Sequence, residues 1–153
     1  MSTYEVVRTT TIDADPVNVH DLLNDFHEWR KWSPWEDLDP DLERTYTGPD
    51  AGVGAHYAWS GNRKAGEGSM VITHSTPLEV DVKLDFLKPF SASNQVRFTL
   101  TPADGGTKVE WRMNGEQKGV WGLVGRFMNM DKLVGKDFEK GLAQLKTAAE
   151  AES

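Results

Sequence analysis

Between residues 79 and 87 hydrophobic and polar positions alternate without a break. Val80, Val82, Leu84 and Phe86 take one parity; Glu79, Asp81, Lys83 and Asp85 take the other. A period of two over this length predicts a strand with one wet and one covered face. The same alternation recurs along the chain. It places Tyr4, Val6 and Ile12 in a strand over 3–12, Leu42, Arg44 and Tyr46 over 42–48, and Ala55, Tyr57 and Trp59 over 53–60. It further places Met70, Ile72 and His74 over 68–76, Val96, Phe98 and Leu100 over 93–101, and Val109, Trp111 and Met113 over 107–113. Asp104-Gly105-Gly106 joins the last two as a hairpin.

Two segments break the period of two. After Asp13-Ala14-Asp15-Pro16, Val19, Leu22, Leu23, Phe26 and Trp29 recur at helical spacing. Asp15 suits the N-cap and Pro16 the first helical turn. The spacing predicts a short helix and a second, turn-rich one, ended by Ser33-Pro34 because the residue before proline avoids helical geometry. From Val120, apolar residues recur every three or four positions through Trp121, Val124, Phe127, Met128, Val134, Phe138, Leu142 and Leu145. This predicts a long amphipathic helix, in which Gly125, Gly135 and Gly141 permit either close packing or a bend.

Strand, short helices, six strands in hairpin succession and a long helix make one α+β domain over 1–153. An antiparallel sheet of six to seven strands twists and curls, and the last helix is the element large enough to cover its apolar face. A straight helix on a curved sheet touches best near the middle of the arc, so the geometry leaves room for a cavity toward the ends.

Composition narrows the chemistry. The chain of 153 residues has no cysteine, which excludes disulfides, thiolate nucleophiles and cysteine-ligated metals. The net charge of −7 disfavours nucleic acid as a partner. The N-terminus MSTYEVVRTT lacks an apolar signal core, and no stretch reaches the roughly 18 apolar residues of a membrane span. A cytoplasmic location is the expectation. His20, His27, His56 and His74 are dispersed, without HxH or HExxH spacing, so no metal site and no cofactor are expected. A GxSxG elbow, GxGxxG and Walker patterns are absent.

The stretches TIDADPVNVHDLLNDFHEWRKWSPW, GGTKVEWRMNG and MDKLVGKDFEKGLAQLK resemble the START-like, or SRPBCC, superfamily, and within it the polyketide cyclase/dehydrase-type branch. The resemblance covers nearly the whole chain. It implies the helix-grip fold, in which a curved antiparallel sheet wraps around a long C-terminal helix and two short helices follow the first strand. It also implies a pocket between sheet and helix for a hydrophobic or amphipathic small molecule, lipid-like or polyketide-like. Other members are cyclases or dehydratases acting on a bound chain, and others are protein-interaction modules akin to Hsp90-ATPase activators. No motif transfers a catalytic residue.

Under that resemblance the ligand-binding candidates are Trp35, Tyr57, Trp59, Met70, Ile72, His74, Phe86, Phe98, Trp111, Met113, Phe127 and Met128. Each has a second reading. Trp32 and Trp35 either rim the pocket or plug the end of the core. The Met and aromatic side chains either wall an adaptable site or fill an irregular core. His74 either faces the ligand or reaches solvent at a strand end. Arg44 either anchors a carboxylate or snorkels outward. An enzymatic function would need His74, Arg44 and Tyr57 to converge.

Overall fold

A computed structural model of the protein describes residues 2–35, 39–62, 66–88, 92–117 and 130–152. Seven antiparallel strands form one curved sheet: β1 (Ser2–Ile12), β2 (Glu43–Thr47), β3 (His56–Ser60), β4 (Glu67–Thr76), β5 (Glu79–Lys88), β6 (Ala92–Ala103) and β7 (Gly106–Gln117). Their order in the sheet is β1-β7-β6-β5-β4-β3-β2. β2 to β7 follow one another as neighbours, and β1 closes on β7. Asp104 and Gly105 take φ of 41° and 82°, the doubly positive geometry that matches a two-residue hairpin to strand twist.

The alternation predicted from sequence sets the inner face. Val6, Ile12, Ile72, Val80, Val82, Leu84, Val96, Phe98, Leu100, Val109, Trp111 and Met113 are all buried. The outer face carries charged ladders such as Arg97 between Glu79 and Asp81, and Arg112 between Glu5 and Glu110.

Helix α1 (Pro16–Leu23) starts with Pro16 in the first turn, as expected. Asp15 holds the N-cap position in an extended conformation, but its carboxylate makes no capping bond; its carbonyl accepts the Asn18 N–H at 3.0 Å. The second short helix is a single 3₁₀ turn, Glu28–Lys31. Trp29 within it and Trp32 just after it close the preceding helix. Trp29 Nε1 donates to Leu23 O at 2.9 Å and Trp32 Nε1 to Leu22 O at 2.8 Å, which satisfies two of the carbonyls that a helix C-terminus leaves without partners.

Helix α2 is described over Met130–Glu152; the part of the predicted helix from Val120 to Asn129 lies outside the described residues. Phe138, Leu142, Leu145 and Ala149 form its buried stripe. It is fastened along β1: Arg8 Nε donates to Glu139 Oε2 at 3.1 Å, Lys146 Nζ to Thr11 O at 3.1 Å, and the Asp13 N–H to Glu150 Oε2 at 2.9 Å. Gly141 serves close packing. A Cβ there would stand 2.9 Å from both Pro34 Cδ and Trp111 Cζ3. Among the described residues no helix is long and apolar enough to cross a membrane.

Candidate functional site

The register of the sheet sorts its inner face into rows that cross the strands. The middle row is a plug. Trp111 pairs with Phe98 across β6 and β7, and its ring stacks on Phe138 of α2 at a centroid distance of 3.9 Å and an interplanar angle of 8°. Trp32, Trp35 and Phe98 surround it at 5.5, 5.8 and 5.0 Å. Trp111 is 1% exposed. Phe98, Trp111, Met113 and Ile72 therefore stand deep in packed core, and the space expected between sheet and helix is filled at this level. Trp111 Nε1 finds no hydrogen-bond partner among the described residues. Trp32 plugs the end of the core. Trp35 is half-buried over Trp111 and Phe138, with Nε1 donating to Asp137 Oδ2 at 3.2 Å.

Toward the other end of the strands the inner face changes character. One row crosses all seven: Tyr4 lies opposite Gly115, Gly115 opposite Asn94, Asn94 opposite Leu84, Leu84 opposite Met70, Met70 opposite Tyr57 and Tyr57 opposite Tyr46. Beyond it lie Phe86, Gly68 and Trp59. Tyr4, Trp59 and Phe86 are inward-facing yet only partly buried. The Trp59 ring lies over Gly68, where a Cβ would come within 2.6 Å of it, and meets Phe86 edge-on at 6.0 Å. Tyr57 stacks beside Trp59 at 6.0 Å. The fold thus brings Tyr57, Trp59, Met70 and Phe86 together as one apolar wall.

Three residues at this end stand outside the ligand-binding candidates that the sequence offers. Asn94 shares the parity of Val96 and Phe98, and Gly115 continues the parity of Trp111 and Met113 past the predicted strand end. Tyr4 heads the row. Tyr4 Oη donates a short hydrogen bond to Asn94 Oδ1, and Gly115 between them leaves room for that contact, since a Cβ would strike both groups. Burial raises the Tyr4 pKa above the ordinary phenolic value of 10.0, because the phenolate is the form that loses solvation. A raised folded-state pKa means that stability is whole below pH 10 and drains away as pH climbs through the folded value. Tyr4→Phe is expected to remove that part of the alkaline loss. Urea unfolding of the two proteins from neutral pH to above pH 10 checks it, and parallel curves would refute it.

His74 is corrected. Its expected place beside Ile72 is lost to a β-bulge: Ile72 pairs with Val82, but His74 pairs with Asp81. The extra residue, Thr73, shifts the parity, and His74 is exposed. A bulge puts two residues opposite one and turns the following side chains over. Arg44 lies on the edge strand opposite Trp59, half-buried. Arg44 thus shares a face with its diagonal neighbour Tyr57, and His74 does not join them. Phe127 and Met128 lie outside the described residues.

A cleft of about 130 Å³ opens at the far end of β2, lined by Phe26, His27, Tyr46, Thr47, Gly48, Pro49, Asp50, Ala55 and His56. His27 stacks on Tyr46 at 4.0 Å, and its Nδ1 lies 2.8 Å from Asp25 Oδ1. The cleft is close to the ~150 Å³ of a cavity that holds benzene and is too small for a lipid chain. Among the described residues no group of three or more His, Asp or Glu is placed to hold a metal ion.

The architecture is shared widely. A protein from Nitrosospira multiformis superposes with a TM-score of 0.69 at 20% identity, covering 97% of this chain and 98% of that one. The Aha1 dimer from Colwellia psychrerythraea gives 0.63 at 16%, covering 96% of each chain. Ara h 8.0201 gives 0.64 at 15%, covering 99% and 97%. At these identities the likeness establishes the fold. No curated protein sequence matches the chain. The family model for polyketide cyclase/dehydrase and lipid transport matches residues 3–150. With a helix-grip sheet and helix in place and the model spanning nearly every residue, the chain belongs to that family, within the START-like superfamily.

Proposed function

We propose that the protein binds a hydrophobic or amphipathic small molecule, lipid-like or polyketide-like, against the end of the inner sheet face marked by Tyr57, Trp59, Met70 and Phe86. One observation supports this most directly: Trp59, Phe86 and Tyr4 face the concave side yet stay only partly buried. Large apolar side chains left open on a concave face lose solvation-free energy that a ligand can recover, at about 25 cal/mol per Å² covered. The site lies beyond the Trp111 plug, displaced from the middle of the arc. In this reading the protein acts in the cytoplasm on a small molecule, and its acidity keeps it off nucleic acid. Binding is the function assigned. A cyclase needs a group in the pocket able to move a proton near neutral pH, and His74, the candidate for that role, lies exposed after the β4 bulge.

The test is uptake of 1,6-diphenyl-1,3,5-hexatriene, a hydrocarbon whose emission rises out of water and which accepts energy from excited tryptophan. Saturable 1:1 binding with quenching of tryptophan emission is expected. Absence of uptake, together with a native mass spectrum showing no retained apolar molecule, would count against the proposal.

A further inference from the structure

We infer that the pocket selects an amphipathic molecule with an uncharged oxygen, a ketone or hydroxyl, at one end of an apolar body, and that Tyr4 and Asn94 hold that oxygen. This rests on the small-molecule reading above and adds the chemical class of the ligand and its orientation.

The argument starts from the cost of Asn94. It sits on the inner face between Leu84 and Gly115 and is 1% exposed. An amide in that position is stabilising only if its hydrogen bonds are made. The other two buried polar side chains among the described residues serve the backbone: Thr107 Oγ1 donates to Ala14 O at 2.8 Å, and Ser33 Oγ accepts the Trp35 N–H at 3.4 Å. Asn94 is different. Its Oδ1 accepts from the Tyr4 hydroxyl, its Nδ2 reaches Leu84 O only at 3.4 Å, and one of its two N–H groups has no partner among the described residues. The Tyr4 oxygen, having given its proton to Asn94, keeps acceptor capacity. The pair therefore offers one donor and one acceptor at the end of a row whose next members, Leu84 and Met70, are apolar.

The charge balance decides the class. Tyr4 is a neutral phenol near pH 7 and Asn94 a neutral amide, so the pair brings no cation to a carboxylate or sulfonate. The nearest cation along β1, Arg8, is turned to Glu139 and to Val7 O, and Arg44, opposite Trp59 on β2, stands four strands away from Asn94. An anionic head would be desolvated here without compensation. A neutral carbonyl takes the open Asn94 N–H, and a hydroxyl in addition donates to Tyr4 Oη.

Three probes separate the outcomes. 6-Propionyl-2-(dimethylamino)naphthalene is a neutral aryl ketone, diphenylhexatriene has no polar atom, and 1-anilinonaphthalene-8-sulfonate is an anion. The wild-type protein is expected to bind the ketone more tightly than the sulfonate. Asn94→Leu is expected to weaken the ketone about 3- to 10-fold, the effect of one neutral hydrogen bond; Tyr4→Phe is expected to weaken by the same factor the alcohol obtained by reducing that ketone, and both to change diphenylhexatriene binding less than about twofold. If the polar probe and diphenylhexatriene weaken equally, or neither weakens, the pair is a packing feature and the inference is overturned. A sulfonate that binds as tightly as the ketone overturns the ligand class. If the wild type takes up none of the three, the small-molecule reading falls with it, a distinct result. Should Asn94→Leu fail to fold by circular dichroism, Tyr4→Phe with the alcohol probe decides alone, since it removes one hydroxyl and keeps the ring.

Discussion

Trp111→Ala is expected to lower the unfolding free energy by about 3–5 kcal/mol, the usual loss for a buried tryptophan cut to alanine. For a chain of this size that lowers Tm by about 10 °C or more. The figure belongs to the upper part of the range because of what surrounds the ring. Phe138 lies face to face at 3.9 Å, and Trp32, Trp35 and Phe98 close the other sides. These partners come from β6, α2 and the segment that follows the 3₁₀ turn, so the hole left behind cannot collapse from one direction. The substitution also discriminates between two roles. A core residue gives a large loss of stability in the ligand-free protein. A pocket wall gives little loss there and a large loss of diphenylhexatriene uptake. Chemical unfolding in the absence of ligand measures the first, and a loss below about 1 kcal/mol would show that Trp111 borders open space.

Gly68→Val is expected to do the reverse. It costs about 1–3 kcal/mol by overpacking and abolishes uptake of the hydrocarbon probe. A Cβ at residue 68 would stand 2.6 and 2.7 Å from Trp59 ring carbons and 2.5 Å from Asp85 O. The indole can swing away, but the backbone oxygen of β5 moves only with its strand. Evicting Trp59 breaks its edge contact with Phe86 and its stack beside Tyr57, which together form the proposed wall. Thermal melting and probe titration on the same sample check both halves. Unchanged uptake at a reduced Tm would place the ligand elsewhere than against Trp59.

The residues differ in how plainly the chain announces them. The clean alternation of β5 and the repeat of Phe138, Leu142 and Leu145 in α2 were legible, because each depends only on which neighbours along the chain share a face. The solvent-facing reading of His74 holds, but its parity with Met70 and Ile72 does not, because a bulge adds one residue without disturbing the alternation of the letters around it. Asn94 and Gly115 were passed over because a polar residue and a glycine on an apolar parity look like the fading end of a strand. Their meaning comes from Tyr4, ninety positions away from Asn94. Trp111 as wall or as plug was undecidable from its own strand. Both roles need the same parity, and the choice depends on where Phe138 lands.

The row from Tyr4 to Tyr46 also acts as a ruler. Neighbouring strands stand about 4.8 Å apart, so Asn94 on β6 and Tyr57 on β3 are separated by three such steps, about 14 Å along the arc. A molecule whose oxygen rests at Asn94 and whose far end reaches the Tyr57 ring has its length set by the sheet itself. A shorter one leaves part of the wall wet, and a longer one must bend or leave its tail outside.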